Sequence, residues 1–224
     1  MTSQEVTGKR RYHDACAAAH ALDMLGERWA MLVLRELMFG PKRFSELRAD
    51  IPTISANLLT QRLEGLEASG LVARRKLPPP VSAQVYELTL RGCATEPILQ
   101  ALGRWGAGSP VHDPSLPISA TSLLLSLRAM LDPTRVKALD VRIGFRLGGR
   151  DFVGALNATG LAIVRGEVGD VDLLFDGAPT ALAAAVYGAV PLDRLEAQGS
   201  LTVTGPRWLA KLFTTLFPLP PKVG

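Results

Sequence analysis

FSELRADIPTISANLLTQRLEGLEASGL, residues 44–71, decides how this chain is read. Arg43, Phe44, Leu47 and Ile51 fall at helical spacing, and Pro52 pushes the residue before it out of the α region, which ends a first short helix. Ser55 can cap a second helix by accepting a hydrogen bond from a free backbone N–H one turn on. From that start Leu59, Leu63 and Leu66 repeat at i, i+4 and i+7 as a buried stripe, with Leu58 at its margin and Gly70 placed to stop the helix. The opposite face shows Asn57, Thr60, Gln61 and Glu64. Short amides and hydroxyls near the start of an exposed helix suit base-edge reading in a major groove. An ordinary amphipathic helix has the same pattern, so the flanking residues must decide.

The residues that follow favour a nucleic-acid reader. LVARRKL (71–77) and QVYELTL (84–90) are strand-like runs separated by Pro78, Pro79, Pro80, Val81, Ser82 and Ala83, which reads as a hairpin with a proline-stiffened tip. Arg74, Arg75 and Lys76 set three adjacent cations on its first strand, the charge a hairpin wing needs beside a phosphate backbone. A solvated surface strand would carry the same run, but its position directly after a helix-turn-helix pattern favours the wing.

Residues 16–105 resemble the HxlR-type winged-helix transcriptional regulators. The blocks that carry the likeness are Cys16 near a helix start, Leu25-Gly26-Glu27-Arg28-Trp29, Leu34-Arg35-Glu36-Leu37 and Gly40-Pro41-Lys42-Arg43-Phe44-Ser45-Glu46-Leu47. They continue through Leu59-Thr60-Gln61-Arg62-Leu63, Gly70-Leu71-Val72-Ala73-Arg74 and Val85-Tyr86-Glu87-Leu88-Thr89. The resemblance implies a dimeric winged-helix protein that binds double-stranded DNA and represses or activates transcription. Two departures stand out: the family commonly has Pro after the Cys, where this chain has Ala17, and its usual Gly-Lys-Trp is Gly26-Glu27-Arg28-Trp29 here.

Composition agrees with a polyanion partner without demanding one. The 224 residues carry 25 Lys and Arg against 21 Asp and Glu, net +4, with a sequence pI near 9.3. Residues 1–110 hold net +3 of that excess and the remainder net +1. At 47% hydrophobic content there is enough chain for two domains, each with its own core. No apolar run reaches membrane-spanning length and MTSQEVTGKRRYHD lacks a signal-peptide core, so the expectation is a cytoplasmic protein with no membrane partner.

Cys16 and Cys93, the two cysteines, cannot form a disulfide framework, and no Cys/His cluster has zinc spacing. His13 and His20 flank Cys16 without making a metal set, so neither metal nor cofactor is expected. Some members of the family it resembles sense oxidants or electrophiles through a Cys at the position of Cys16, and a helix N-terminus can lower a thiol pKa. A free Cys can equally be a small packing residue.

RGCATEPILQALGRWGA (91–107) places Ile98, Leu99, Leu102 and Trp105 on one face, with Pro97 near its start. In the resembled family the terminal helices pair across a two-fold, which implies a homodimer whose two reading helices reach successive major grooves. Residues 109–119, rich in Pro and Ser, read as a linker. The expected organisation is therefore a DNA-binding and dimerisation domain at 1–108, the linker, and a second domain at 120–224.

In the second domain Leu139, Val141, Ile143, Phe145 and Leu147 alternate with Asp140, Arg142, Gly144 and Arg146, a strand with one buried and one wet face. Further strands are expected at 150–156, 161–165, 171–175 and 200–204, with turns at Gly148-Gly149 and 157–160. The Ala-rich run 179–187 is helical by propensity, and Gly205-Pro206 leads into an amphipathic helix with Trp208, Leu209, Leu212, Phe213, Leu216 and Phe217. An α+β domain follows, an antiparallel sheet with helices on one face.

This order resembles the sterol-carrier-protein domain, through the strand meander, the 172–176 strand before an Ala-rich helix, Gly199-Ser200-Leu201-Thr202-Val203-Thr204-Gly205 and the closing apolar helix. The resemblance implies a module that holds an apolar small-molecule effector between sheet and helices, lined by Phe145, Phe152, Leu174, Tyr187, Trp208 and Phe213. The same residues could simply fill a core, making the domain a dimer brace.

An enzyme would need convergent catalytic groups. The second half has only His112, in the linker, and no cysteine, while Asp170, Asp172 and Asp176 sit at a strand and its ends. Gly144, Gly148 and Gly149 lack the spacing of a nucleotide loop. The expectation is a non-enzymatic regulator. A lipid-carrying scaffold that merely retains a winged helix is the alternative of another class, and it predicts no sequence-specific DNA shift. The expected DNA-facing set is Arg43, Ser55, Asn57, Thr60, Gln61, Arg62, Arg74, Arg75 and Lys76, with Cys16 as the redox candidate.

Overall fold

Ser55 stands at the start of the helix that the sequence singles out, and the computed structural model shows its side chain accepting a hydrogen bond from the Leu58 N–H at 3.3 Å. The structure describes residues 12–80, 82–136 and 139–223; the leader reading of residues 1–11 and the wing-tip position Val81 fall outside them. The chain divides into two units. One contains the described residues to Leu34 with Lys42–Cys93, the other Arg35–Pro41 with the described residues from Ala94 onward.

The first unit runs α1 (Ala17–Leu25), the start of α2 (Ala30–Leu37), α3 (Phe44–Asp50), α4 (Ala56–Ala68), β1 (Val72–Lys76), β2 (Gln84–Leu88) and α5 (Leu90–Cys93). Ile51, the residue before Pro52, leaves the helical region at φ −123°, ψ 69°, as a pre-proline residue must. Leu59, Leu63 and Leu66 of α4 are buried with Val33, Leu34, Leu47, Ile51 and Ile54, and each such burial contributes about 1.5–3 kcal/mol. Gly70, at φ +68°, closes α4: its N–H reaches Glu67 O and the Leu71 N–H reaches Leu66 O, the paired bonds of a Schellman end. β1 and β2 pair antiparallel, Arg75 opposite Val85, and Lys42 adds a bridge to Tyr86.

The second unit contains the end of α2, then α6 (Glu96–Ala107), α7 (Ala120–Met130), α8 (Pro133–Val136), β3 (Asp140–Leu147), β4 (Arg150–Asn157) and β5 (Gly160–Arg165). It closes with β6 (Leu173–Gly177), α9 (Pro179–Tyr187), α10 (Leu192–Ala197), β7 (Leu201–Thr204) and α11 (Arg207–Thr214). Two boundaries differ from the expected ones. α6, expected to end the first domain, groups with the second unit, because Leu99 packs on that unit's core and Glu96 pairs with Arg128 of α7 at 3.0 Å. Arg35–Pro41 joins it too: Phe39 is buried edge-on against Phe152, ring centroids 6.0 Å apart, and Glu36 accepts the Ser119 hydroxyl at 2.7 Å.

The expected antiparallel sheet is mixed. Among the described residues its order is β5-β4-β3-β6-β7, and β3 and β6 are parallel. β4 and β5 follow β3 as hairpins, but residues 166–172 then cross a face of the sheet instead of turning back, so β6 joins the free side of β3 running the same way. The crossing leaves a mark on the alternation. Ile143, Phe145 and Leu147 are buried and Arg142 and Arg146 exposed, as the pattern predicts, yet Gly144 is buried as well. A Cβ there would lie 2.6 Å from Val168 Cγ1 and 3.2 Å from Val171 Cγ2, so only glycine leaves room for the crossing chain. On the other face Phe145, Phe152 and Phe175 form one core with Leu123, Leu127, Leu182 and Phe213 of the helices.

Candidate nucleic-acid interface

The exposed side of α4 presents what the sequence promised. Its first turn carries no acidic residue, Asn57, Thr60 and Gln61 are exposed, and the free N–H groups of a helix start favour a phosphate. Thr60 donates its hydroxyl to Ala56 O at 3.1 Å, which leaves oxygen lone pairs facing outward. Arg62 departs from the expected outward set: it is 19% exposed and pairs with Glu27 at 3.0 Å, with its Nε buried and without a hydrogen-bond partner. Spacing put Arg62 on the polar face, but its long side chain lays its stem along the protein and reaches the exposed carboxylate of Glu27. Arg43 is exposed at the start of α3, where its N–H donates to Glu46 Oε2 at 2.8 Å.

The wing cations are not equivalent. Arg74 lies 5.4 Å from the Tyr86 ring centroid and 3.3 Å from Glu67. Arg75 makes a two-pronged contact with Glu87, Nε to Oε1 and Nη2 to Oε2 both at 2.9 Å, and that hydrogen bonding raises the guanidinium pKa above its ordinary value. Lys76 is exposed and has no ion-pair partner among the described residues. Glu67 and Glu87 were missed in the sequence. The hairpin register reveals Glu87, which stands opposite Ala73 and so diagonally across from Arg75.

Cys16 is exposed at the N-terminus of α1, and the backbone N–H groups of Ala19 and then Ala18 favour its thiolate, lowering its pKa. Among the described residues no three or more His, Cys, Asp or Glu side chains are grouped to hold a metal ion, and no helix is long and apolar enough to cross a membrane.

The six residues expected to line an effector cavity do not converge. Phe145 and Phe213 are ring neighbours in the core, 6.0 Å apart, and Phe152 packs on Phe39. Leu174 lies on the other face of the sheet near Gly144, and Trp208 is 62% exposed. The aromatic spacing that suggests a lining is that of a filled core. Tyr187 alone among the six lines an open cleft of about 320 Å³, with Arg135, Val186, Thr215, Phe217 and Leu219.

A capped helix bearing exposed amides and hydroxyls, set between a preceding short helix and a basic hairpin, is a winged helix-turn-helix, a DNA-binding module. The family model described as HxlR-like helix-turn-helix matches residues 24–112. The HTH-type transcriptional regulator YodB of Bacillus subtilis is 40% identical over 85 residues, 38% of this chain and 76% of that protein. The uncharacterized regulator YkvN of the same organism is 44% identical over 95 residues, 41% of this chain and 78% of its own. The solved reduced form of YodB is similar with 35% identity and a TM-score of 0.40, covering 45% of this chain and all of that one. The chain belongs to the HxlR-like family of DNA-binding transcriptional regulators.

Proposed function

We propose that this regulator works as a homodimer that docks its two α4 helices into neighbouring major grooves, with its C-terminal unit serving as a receptor for an apolar small-molecule effector. Asn57, Thr60 and Gln61 face base edges, while Arg43, Lys76, Arg74 and Arg75 hold phosphates. The observation that carries the reading is the α4 start itself, capped by Ser55, free of acids and exposed. Dimerisation is supported by α6, where Ile98, Leu102 and Trp105 recur at i, i+4 and i+7 and are 44%, 49% and 81% exposed. The order of strands and helices supports a sterol-carrier-protein-like second unit, acting without catalysis, in the cytoplasm where such DNA is found. In vitro selection followed by footprinting tests it: two protected half-sites centred about 34 Å apart are expected. Protection of a single half-site refutes the dimer, and the lack of any sequence-specific shift refutes the reader in favour of a lipid-carrying scaffold.

Cys16 supports a second reading, in which oxidants or electrophiles control DNA binding and the C-terminal unit only braces the dimer. The exposed thiol with its lowered pKa is the specific observation. Alkylation at Cys16 should therefore reach its half-maximal rate at a pH below the ordinary cysteine value. Diamide treatment that leaves DNA affinity unchanged in both the wild type and Cys16→Ser ends this reading.

A further inference from the structure

In the core of the second unit Phe175 and Phe213 lie 5.1 Å apart and Phe213 and Phe217 4.9 Å apart. An open cleft of about 320 Å³ lies where the ends of α9 and α11 meet the C-terminal tail, a volume at the low end of small-molecule sites. Its walls are the apolar side chains of Val186, Phe217 and Leu219 and the Tyr187 ring, whose hydroxyl is tied to Ser126 at 2.7 Å. Arg135 stands in the lining with its guanidinium already oriented: Nε meets Asp132 at 3.0 Å and Nη1 donates to Thr215 O at 2.7 Å. Those contacts use two of its five N–H donors and fix the plane of the fork, leaving donors for a planar acceptor group. Asp132 also accepts the Thr134 N–H at 3.0 Å and the Thr134 hydroxyl at 2.6 Å, which fixes the carboxylate beside Arg135 and with it the plane of the guanidinium.

The tail that forms one wall continues to the end of α6. Past Leu219, Lys222 donates its ammonium to Ala107 O at 3.1 Å and Ser109 O at 2.9 Å, and the Val223 N–H donates to Gly108 O at 2.9 Å. A cation and an amide thus satisfy the orphan carbonyls at the C-terminus of the helix that carries Ile98, Leu102 and Trp105.

We propose that this cleft is the effector site, that it takes a small carboxylate with an apolar body the size of a single aromatic ring with a short chain, and that occupancy is passed along the C-terminal tail to the end of α6. The proposal rests on the effector reading above. A ligand can act only through unequal affinity for two states, and the tail offers two: clasped on α6 or displaced from it by the occupant.

Calorimetry on the full chain with phenylacetate, cinnamate and octanoate, each beside its primary alcohol, tests the site. At least one acid should bind and its alcohol should not. Arg135→Gln should weaken that binding about tenfold or more, since it removes a charge-assisted contact. Val186→Trp, which fills the cleft, should abolish it. Binding of no acid, equal binding of acid and alcohol, or undiminished binding in Arg135→Gln overturns the proposal. Affinity for the selected DNA fragment, measured with and without the bound acid, separates the two layers. A change that disappears in Lys222→Ala, with acid binding kept, supports the tail route. Binding in the cleft with no change in DNA affinity leaves the site standing and overturns both the tail route and the effector reading.

Discussion

Phe39→Ala should destabilise the C-terminal unit even though residue 39 lies within the stretch that resembles a DNA-binding domain. Its ring is 7% exposed, meets Phe152 edge-on at 73° and lies 5.7 Å from the Arg128 guanidinium. Truncating a buried Phe to Ala costs about 3–5 kcal/mol, a figure that already includes roughly 0.5–1.5 for the ring pair and about 0.5–1 for the cation. At about 2–4 °C per kcal/mol for a unit of this size, the melting transition should fall by roughly 6–20 °C. Two units need not unfold together, so the assay must be local: hydrogen exchange of β3 and β4 read by mass spectrometry, beside the thermal scan. Those strands should lose protection by the same free energy. A cost below about 1 kcal/mol refutes the reasoning, as does a chain beginning at Ala94 that is as stable as the full protein. The same geometry argues against a ligand screen on residues 120–224 alone, because that fragment lacks the Phe39 ring and the Glu36 carboxylate that Ser119 engages.

Gln61→Ala should change the preferred sequence while leaving the salt dependence of DNA binding intact; Lys76→Ala should weaken all sequences and flatten the slope of log K against log salt by about 0.9 per protomer. If both variants behave alike, the division between base reading and phosphate holding fails. Glu87→Gln should tighten DNA binding severalfold by releasing Arg75, and unchanged affinity would show that Arg75 touches no phosphate. Trp105→Asp should raise the dimer dissociation constant about thirtyfold to a thousandfold, the effect of losing an interface anchor worth about 2–4 kcal/mol, and unaltered sedimentation would remove α6 from the interface. Burial pushes the Tyr187 pKa up to about 12, so the folded state favours the neutral phenol. Stability is then flat below pH ~10, where the unfolded phenol is also neutral, and falls between pH ~10 and ~12 by at most about 2.7 kcal/mol. Tyr187→Phe should abolish that alkaline loss and cost about 1 kcal/mol at neutral pH for its bond to Ser126; an alkaline slope that persists would refute the assignment.

What the sequence made legible was local. The Ser55 cap, the pre-proline end of α3, the Gly70 stop and the 179–187 helix depend on a few neighbouring residues, and the structure shows each of them. α7 escaped notice because its residues are buried nearly all round: Leu123, Leu124, Leu125 and Leu127 leave no polar face for a period to show. The parallel pairing of β3 with β6 escaped for another reason, since alternation encodes which face is wet and not which strand is the neighbour. Phe39 carries no local signal, because its partners Phe152 and Arg128 are more than eighty residues distant.

The site divides along the same line. Asn57, Thr60 and Gln61 could be placed from helical spacing alone, whereas Arg74, Arg75 and Lys76 look identical in a string and differ in space. Two of the three already hold carboxylates, Glu67 and Glu87, and Lys76 holds none among the described residues. A paired arginine adds little to the long-range field, because its carboxylate cancels most of it beyond the Debye length of about 8 Å. If the wing lies along DNA as proposed, its attraction to random sequence would rest mainly on Lys76. In the docking proposed above, Arg75 would exchange Glu87 for a phosphate, an exchange favoured only once α4 has fixed the register and brought that phosphate within bonding distance. On the proposed docking, the acids would shift the wing's contribution from indiscriminate binding toward binding that follows correct docking, and a net charge of only +4 would be enough for a DNA reader built this way.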